Sequence, residues 1–207
     1  MIGGVDEVGR GAFAGPLVAG CVVFKPNVFA LSSRLRSQKD ARNIRVYIND
    51  SKKLTSKQRE VSSKWIKENA LSWGIGSVSA KQIDKFGLTK AANSAFRRAI
   101  NSAQKRGKLK IDQLMVDAFY IPNMKGIPQK NQFAIIGADG KSMSVAAASI
   151  IAKVYRDELM AKLATKNAYQ KYSWDKNKGY GTKNHREIIK KYGTTQYHRK
   201  LFLRKLI

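Results

Sequence analysis

The sequence predicts an α/β domain built on a mixed sheet, with a basic helical lobe at its C-terminal end. Three observations carry this. Short apolar, β-branched runs come first as a cluster and then alternate with helix-length amphipathic segments. Acids stand at, or just beyond, the ends of three of those runs. The stretch 171–207 has eleven Lys/Arg against two acids and no strand signal.

The first segment, 1–16 (MIGGVDEVGRGAFAGP), runs from apolar Ile2 and Val5 into Asp6-Glu7 and then the turn Gly9-Arg10-Gly11. Acids leaving an apolar segment in this way mark a strand end suited to a cation, and the arginine turn suits an anion beside it. Residues 17–24 (LVAGCVVF) form a second strand that Pro26 ends. The basic, serine-containing stretch 30–43 reads as a surface loop or short helix, and 49–54 (NDSKKL) as a polar loop. Thr55 and Gln58 fit a capping box opening a helix to about Asn69, with Val61, Trp65 and Ile66 on one face.

Residues 71–79 (LSWGIGSVS) alternate imperfectly through Trp73, Ile75 and Val78 as a third strand. Residues 80–104 read as a helix in two pieces broken near Gly87, with Ala91, Ala95, Phe96 and Ala99 on its apolar face. Residues 109–119 return to strand character and bring Asp117 to its end. A loop punctuated by Pro122 and Pro128 leads to a strand over 133–136, which runs into Gly137-Ala138-Asp139-Gly140-Lys141-Ser142. Residues 144–163 form the most apolar helix, whose Ala146, Ala147, Ala148 and Ser149 permit close approach to a sheet. In the tail, a 178–182 turn (KGYGT) precedes a helix near 183–191. A boundary near 165/166 would divide a main α/β domain, 1–165, from the basic lobe, 166–207.

The chain has 207 residues, 43% of them hydrophobic, enough for one substantial core. No apolar run is long enough to cross a bilayer, and the N-terminus shows no secretory signal pattern. A single cysteine, Cys21, cannot form an internal disulfide. A cytoplasmic protein is expected. The chain carries 40 Lys/Arg against 14 acids, a net charge of +26. Such a field repels itself and usually has a polyanion as its counterpart, so nucleic acid is favoured over a solubility-adapted surface or adhesion to anionic membranes.

Against that background an acid inside an apolar segment needs a metal, a cationic partner or a proton. In open α/β sheets, sites form outside the carboxyl ends of strands, which would gather Asp6, Glu7, Asp117 and Asp139. Oxygen-only ligands without nearby histidine or cysteine suit Mg²⁺ or Mn²⁺ rather than zinc. Two such ions can activate water and stabilise the leaving oxygen in phosphodiester cleavage. Taken singly, each acid has a plainer reading: a solvated strand end for Asp6-Glu7, a turn cap for Asp117, an ordinary turn for Asp139-Gly140. Asp157, beside Arg156 in mid-helix, reads as a local ion-pair partner.

Seven segments together carry a resemblance: VDEVGRG at 5–11, DSKKL at 50–54, VDA at 116–118, ADGKS at 138–142, AAASIIAKVYRD at 146–157, KGYGT at 178–182 and HR at 198–199. In order and over nearly the whole chain, they resemble type 2 ribonuclease H, the ribonuclease HII family. The resemblance implies an RNase H-like fold, a mixed five-stranded sheet flanked by helices. It implies a metal-dependent endoribonuclease acting on RNA–DNA hybrids and on single ribonucleotides in duplex DNA, leaving 5′-phosphate and 3′-hydroxyl ends.

The same resemblance assigns Mg²⁺ or Mn²⁺ to Asp6, Glu7, Asp117 and Asp139, as metal ligands and catalytic groups. It gives ribose 2′-hydroxyl reading to the backbone of Gly9, Arg10 and Gly11, and sugar packing to Tyr180. The bare residues leave Tyr180 open to a core role and Arg10 to a plain phosphate contact. Lys52, Lys53, Lys141 and the tail lysines are expected at phosphates. No membrane partner and a monomer are expected. Two positions depart from the family pattern: Gly137 stands where lysine is usual, and Leu201 follows His198-Arg199-Lys200 where serine is usual before Phe202. The competing readings are another RNase H-like nuclease, such as a resolvase or transposase relative, and a non-catalytic nucleic-acid-binding protein. The ending LFLRKLI reads as a tail packed on its own domain in preference to a docking peptide.

Overall fold

The computed structural model describes residues 1–25, 38–39, 45–204 and 206. In chain order its strands are β1 (Ile2–Val8), β2 (Leu17–Val23), β3 (Gln38–Lys39), β4 (Arg45–Val46), β5 (Ser72–Val78), β6 (Gln113–Asp117) and β7 (Gln132–Ile135). The helices are α1 (Ser56–Asn69), α2 (Ala80–Phe86), α3 (Leu88–Gly107), α4 (Met143–Ala164), α5 (Trp174–Asn177), α6 (Lys183–Tyr192) and α7 (Lys200–Leu203). The stop at Pro26 and most of the 30–43 loop-or-helix segment lie outside the described residues.

Five strands make one sheet in the order β5-β2-β1-β6-β7, and β3 pairs with β4 in a separate ribbon. β1 is antiparallel to β2, and β2 to β5, whereas β1–β6 and β6–β7 are parallel. The sheet is therefore mixed, as the alternation of strand and helix implied. Local sequence explains the helix ends. Thr55 Oγ1 accepts from the Gln58 N–H while Gln58 Oε1 accepts from the Thr55 N–H, closing the capping box. Ser79 and Gln82 do the same for α2, and Gly87, at φ 79°, divides α2 from α3.

Helices cover both faces of the sheet. On one face α3 packs against β5 and β2, burying Ala91, Ala95, Phe96 and Ala99 with Val5, Leu17 and Val116. This differs from the expected alternation in β5. The face turned fully inward carries Gly74 and Gly76, whereas Trp73 and Ile75 lie on the other face and are only partly buried. Backbone approach is the reason: a Cβ on Gly74 would sit 2.2 Å from the Ala99 carbonyl, and one on Gly76 2.0 Å from that of Ala95. The Arg106 guanidinium lies 3.8 Å over the Trp73 ring and shields it.

On the opposite face α4 comes equally close to β1 and β2. A Cβ at Gly20 would meet the Ala148 carbonyl at 2.3 Å, so the small residues of α4 are matched by glycines beneath them. A third apolar cluster joins the end of α4 to the C-terminal segment through Met160, Tyr172, Trp174, Ile189 and Leu203. That segment has no strand, yet two single bridges, Ala12↔Tyr180 and Ala14↔His198, stitch it to the residues after the arginine turn. Asp157 makes its local pair, 2.8 Å from Lys153 Nζ.

Candidate active site

Sheet register brings three acids to one end of the molecule. Val5 pairs with Val116 in the parallel β1–β6 ladder, so Asp6 and Asp117 follow at the same level on adjacent strands. Asp117 in turn stands opposite Ile135 of β7, and the chain continues through Gly137 into a 3₁₀ turn, Ala138–Gly140, carrying Asp139. Asp117 fastens that turn itself, because its Oδ1 accepts N–H bonds from Gly137 at 2.9 Å and Ala138 at 3.1 Å. Gly137 adopts the left-handed conformation, φ 67°, that this fastening requires.

Asp6 is 8% exposed, and its Oδ1 accepts the Glu7 N–H at 2.8 Å. Burial, reinforced by the neighbouring Glu7 charge, pushes its carboxyl up from 3.8 to about 7, against a hydrogen bond from Ser149. Ser149 Oγ lies 2.9 Å from Ser51 Oγ, which connects α4 and the 51–53 turn to the first acid. Glu7 is also raised by burial, opposed by Arg10, whose Nη1 is 3.2 Å from Glu7 Oε1. Asp139 is raised by burial and by the charges of Asp50 and Asp117, with Lys52 acting the other way.

The segment 50–54 thus faces Asp139 across the site. Asp50 is held there as a cap, its Oδ1 accepting the Lys52 N–H at 2.9 Å. Reading the sequence singled out Lys52 but missed Asp50, Ser51 and Ser149. The signal for Asp50 was its place at the head of a Ser-Lys-Lys turn; a lone serine in an apolar helix gives none.

Among the described residues, Asp6, Asp117 and Asp139 have no lysine or arginine within ion-pair distance. The four acids share one end of the sheet but do not close on one another: among the described residues no three His, Cys, Asp or Glu side chains are grouped tightly enough to hold a metal ion. The donor set still fits a hard divalent cation. A buried carboxylate level with a second one, all-oxygen and unpaired in a chain of net charge +26, lacks only positive charge between them.

The arginine turn adjoins the acids. Gly9, at φ 88°, leaves no room for a side chain because a Cβ would lie 2.4 Å from Arg156 Nε, whereas a Cβ on Gly11 would meet nothing within 4 Å. The Arg10 guanidinium lies 5.6 Å over the Phe119 ring. Tyr180 is bridged to Ala12, and its ring has the Arg156 and Lys153 cations at 5.3 and 5.8 Å. Lys141 Nζ donates to the Ile136 carbonyl at 3.0 Å, so it ties down its own loop.

Two fully buried arginines, unforeseen in the sequence, hold this frame. Arg156 donates to the carbonyls of Pro16, Lys178 and Ala14, and Arg199 to those of Gly15 and Arg10. A guanidinium has five fixed donors, enough to clamp several carbonyls without an acid partner.

The ribonuclease HII family model matches residues 3–205. Ribonuclease HII of Clostridium acetobutylicum is 44% identical over 207 residues, covering 100% of this chain and 74% of that protein. Ribonuclease HII of Caldanaerobacter subterraneus subsp. tengcongensis is 42% identical, with 100% and 76% covered. The crystal structure of ribonuclease H2 from Pyrococcus horikoshii OT3 superposes with a TM-score of 0.75 at 28% identity, covering 99% of this chain and 96% of that one. A Bst-RNase HIII structure in complex with Mn²⁺ shares the fold, with a TM-score of 0.61 at 17% identity and 97% and 64% covered. No helix among the described residues is long and apolar enough to cross a membrane. Sheet order, acids at the ends of adjacent parallel strands and relatives matching along the whole chain agree: this chain belongs to the ribonuclease HII family and is a type 2 ribonuclease H, an endoribonuclease with an RNase H-like fold.

Proposed function

We propose that the chain cuts the RNA strand of RNA–DNA hybrids and also cuts at single ribonucleotides embedded in duplex DNA, with Asp6, Glu7, Asp117 and Asp139 as its metal-holding carboxylates. The observation that carries this reading is the unpaired, buried Asp6 level with Asp117, with the Asp139 turn fastened to Asp117. Mg²⁺ or Mn²⁺ bound there supplies an activated water and charge stabilisation at the leaving oxygen, giving 5′-phosphate and 3′-hydroxyl ends. Mn²⁺ is the ion in the Bst-RNase HIII structure that shares the fold.

In this reading the protein's own groups hold and orient the substrate. The backbone of Gly9, Arg10 and Gly11 meets the 2′-hydroxyl, the group that distinguishes RNA from DNA at one position. Tyr180 packs on the sugar, and Lys52, Lys53, Lys141 and the tail lysines hold phosphates. Residues 166–207 form a basic helical lobe packed on the catalytic domain, 1–165, and the protein works as a monomer in the cytoplasm.

The test is a duplex containing one ribonucleotide beside an all-DNA control, with Mg²⁺ or Mn²⁺. Cleavage confined to the ribonucleotide duplex is expected; equal cutting of both would favour a resolvase- or transposase-like nuclease. Asp117→Asn keeps an oxygen for the Gly137 and Ala138 N–H groups, so it should fold and bind nucleic acid while losing metal-dependent cleavage. Unimpaired cleavage by Asp117→Asn would refute the site.

A further inference from the structure

We infer that His185 and His198 are positioning residues: a neutral, directionally fixed imidazole pair that sets the Tyr180 turn against the arginine turn. The inference rests on the reading of Tyr180 as a sugar contact. Both rings are buried, at 0% and 2% exposure, and their Nε2 atoms lie 3.2 Å apart. Every other ring nitrogen has a partner of known polarity. His185 Nδ1 lies 2.9 Å from the Tyr180 carbonyl, which only accepts, so Nδ1 carries a hydrogen. The Trp174 Nε1–H donates to His185 Nε2 at 3.2 Å, so that atom accepts. The Thr195 N–H donates to His198 Nδ1 at 2.9 Å, leaving the His198 hydrogen on Nε2.

One chain of donors satisfies all four ring nitrogens: Thr195 N–H to His198, His198 Nε2–H to His185, His185 Nδ1–H to the Tyr180 carbonyl. His185 Nε2 has one lone pair shared by two donors, in keeping with two contacts at 3.2 Å. Burial lowers both imidazoles from the ordinary histidine value, His198 to about 4, which supports two neutral rings.

The pair also closes a ring of contacts around the arginine turn. Tyr180 is bridged to Ala12 and His198 to Ala14, while the Tyr197 carbonyl accepts the Gly15 N–H and the Phe13 carbonyl accepts that of Arg199. The segment after Gly11 is therefore gripped on two sides, and the imidazole contact joins those sides. Neither ring approaches the acids through any hydrogen bond of this network, so their effect falls on where the sugar sits.

The experiment measures kcat and KM on a single-ribonucleotide duplex for His185→Leu, which removes the Nδ1–H donor and the Nε2 acceptor, and His185→Asn, whose amide N–H can replace Nδ1–H toward Tyr180. His185→Leu should raise KM about fivefold, the scale of one lost neutral hydrogen bond, with kcat within about twofold. His185→Asn should recover most of that loss. In a Tyr180→Ala background His185→Leu should add no further rise in KM. A fall in kcat at unchanged KM, or the same penalty without Tyr180, overturns the inference. Long-range ¹H–¹⁵N spectra of the unmodified protein, which need neither variant nor substrate, should show His185 with its hydrogen on Nδ1 and His198 with its hydrogen on Nε2. Any other pair of tautomers overturns the relay alone. An unchanged KM in Tyr180→Ala itself overturns the sugar-contact reading and the pair's role with it, even where the tautomers are as assigned.

Discussion

Replacing Asp6 with asparagine should make the metal-free protein more stable at alkaline pH while abolishing its response to Mg²⁺. Asp6 is pushed from 3.8 to about 7 by burial and by Glu7, so the folded state holds its proton where the unfolded chain has released it. Stability from such a group is present at low pH and is lost as pH rises between those two values. Over pH 5.5 to 8 the shift corresponds to a loss of about 2 kcal/mol. In a chain of this size that is on the order of 4–8 °C in Tm.

Asparagine keeps an oxygen for the Glu7 N–H and carries no charge to bury. The lowered histidines act in the opposite sense, adding stability as pH rises through their unfolded value, but they are present in both proteins and cancel in the difference. The assay is thermal denaturation in EDTA at both pH values, repeated with Mg²⁺. The wild type should lose about 2 kcal/mol more than Asp6→Asn on going to pH 8, and Mg²⁺ should restore the wild type alone. Parallel pH dependence in the two proteins, or an Asp6→Asn protein less stable than wild type at pH 8 in EDTA, would refute the reasoning.

Further outcomes follow from the packing. Gly11→Ala introduces a Cβ into open space, so Tm should hold within about 1 °C while KM on ribonucleotide substrates rises at least tenfold, as expected where backbone approaches a ligand; unchanged KM would remove the turn from the substrate path. Gly76→Ala drives a Cβ to 2.0 Å from the Ala95 carbonyl and should cost about 1–3 kcal/mol or more in denaturant titration, with kcat unaffected in the folded fraction. Affinity for hybrid should fall steeply with salt, and Lys52→Ala should reduce the slope of log K against log salt by roughly one if that lysine meets a phosphate.

Much of the candidate site was legible in the sequence because its determinants are local. Asp6-Glu7, Asp117 and Asp139 each follow an apolar run of strand length, and the rule that sites form at strand carboxyl ends then places them together. The Thr55–Gln58 box and the break at Gly87 were readable for the same reason: a cap or a positive φ is dictated by the residue itself.

Other features depend on partners remote in sequence. The inward face of β5 could not be read from its apolar residues, because the closeness of α3 rewards Gly74 and Gly76 and turns Trp73 and Ile75 to the other face. Arg156 and Arg199 looked like two more cations in a basic chain. Only the fold surrounds them with the carbonyls of residues 10, 14–16 and 178, where hydrogen bonds offset much of the cost of burial. Asp50 and Ser149 acquire meaning only when two segments about a hundred residues apart meet over Asp6 and Asp139.

The sequence by itself determined the chemistry on offer: a polyanion-seeking surface, oxygen ligands for a hard cation, and a glycine-flanked arginine turn. Tertiary structure decided the geometry. Parallel register sets Asp6 level with Asp117, Asp117 fastens the Asp139 turn, and Glu7 pairs with Arg10, while among the described residues the acids do not close on one another. The physical reason is range. Residue type and strand or helix period are written locally along the chain, whereas desolvation and charge repulsion arise only between groups that folding brings together.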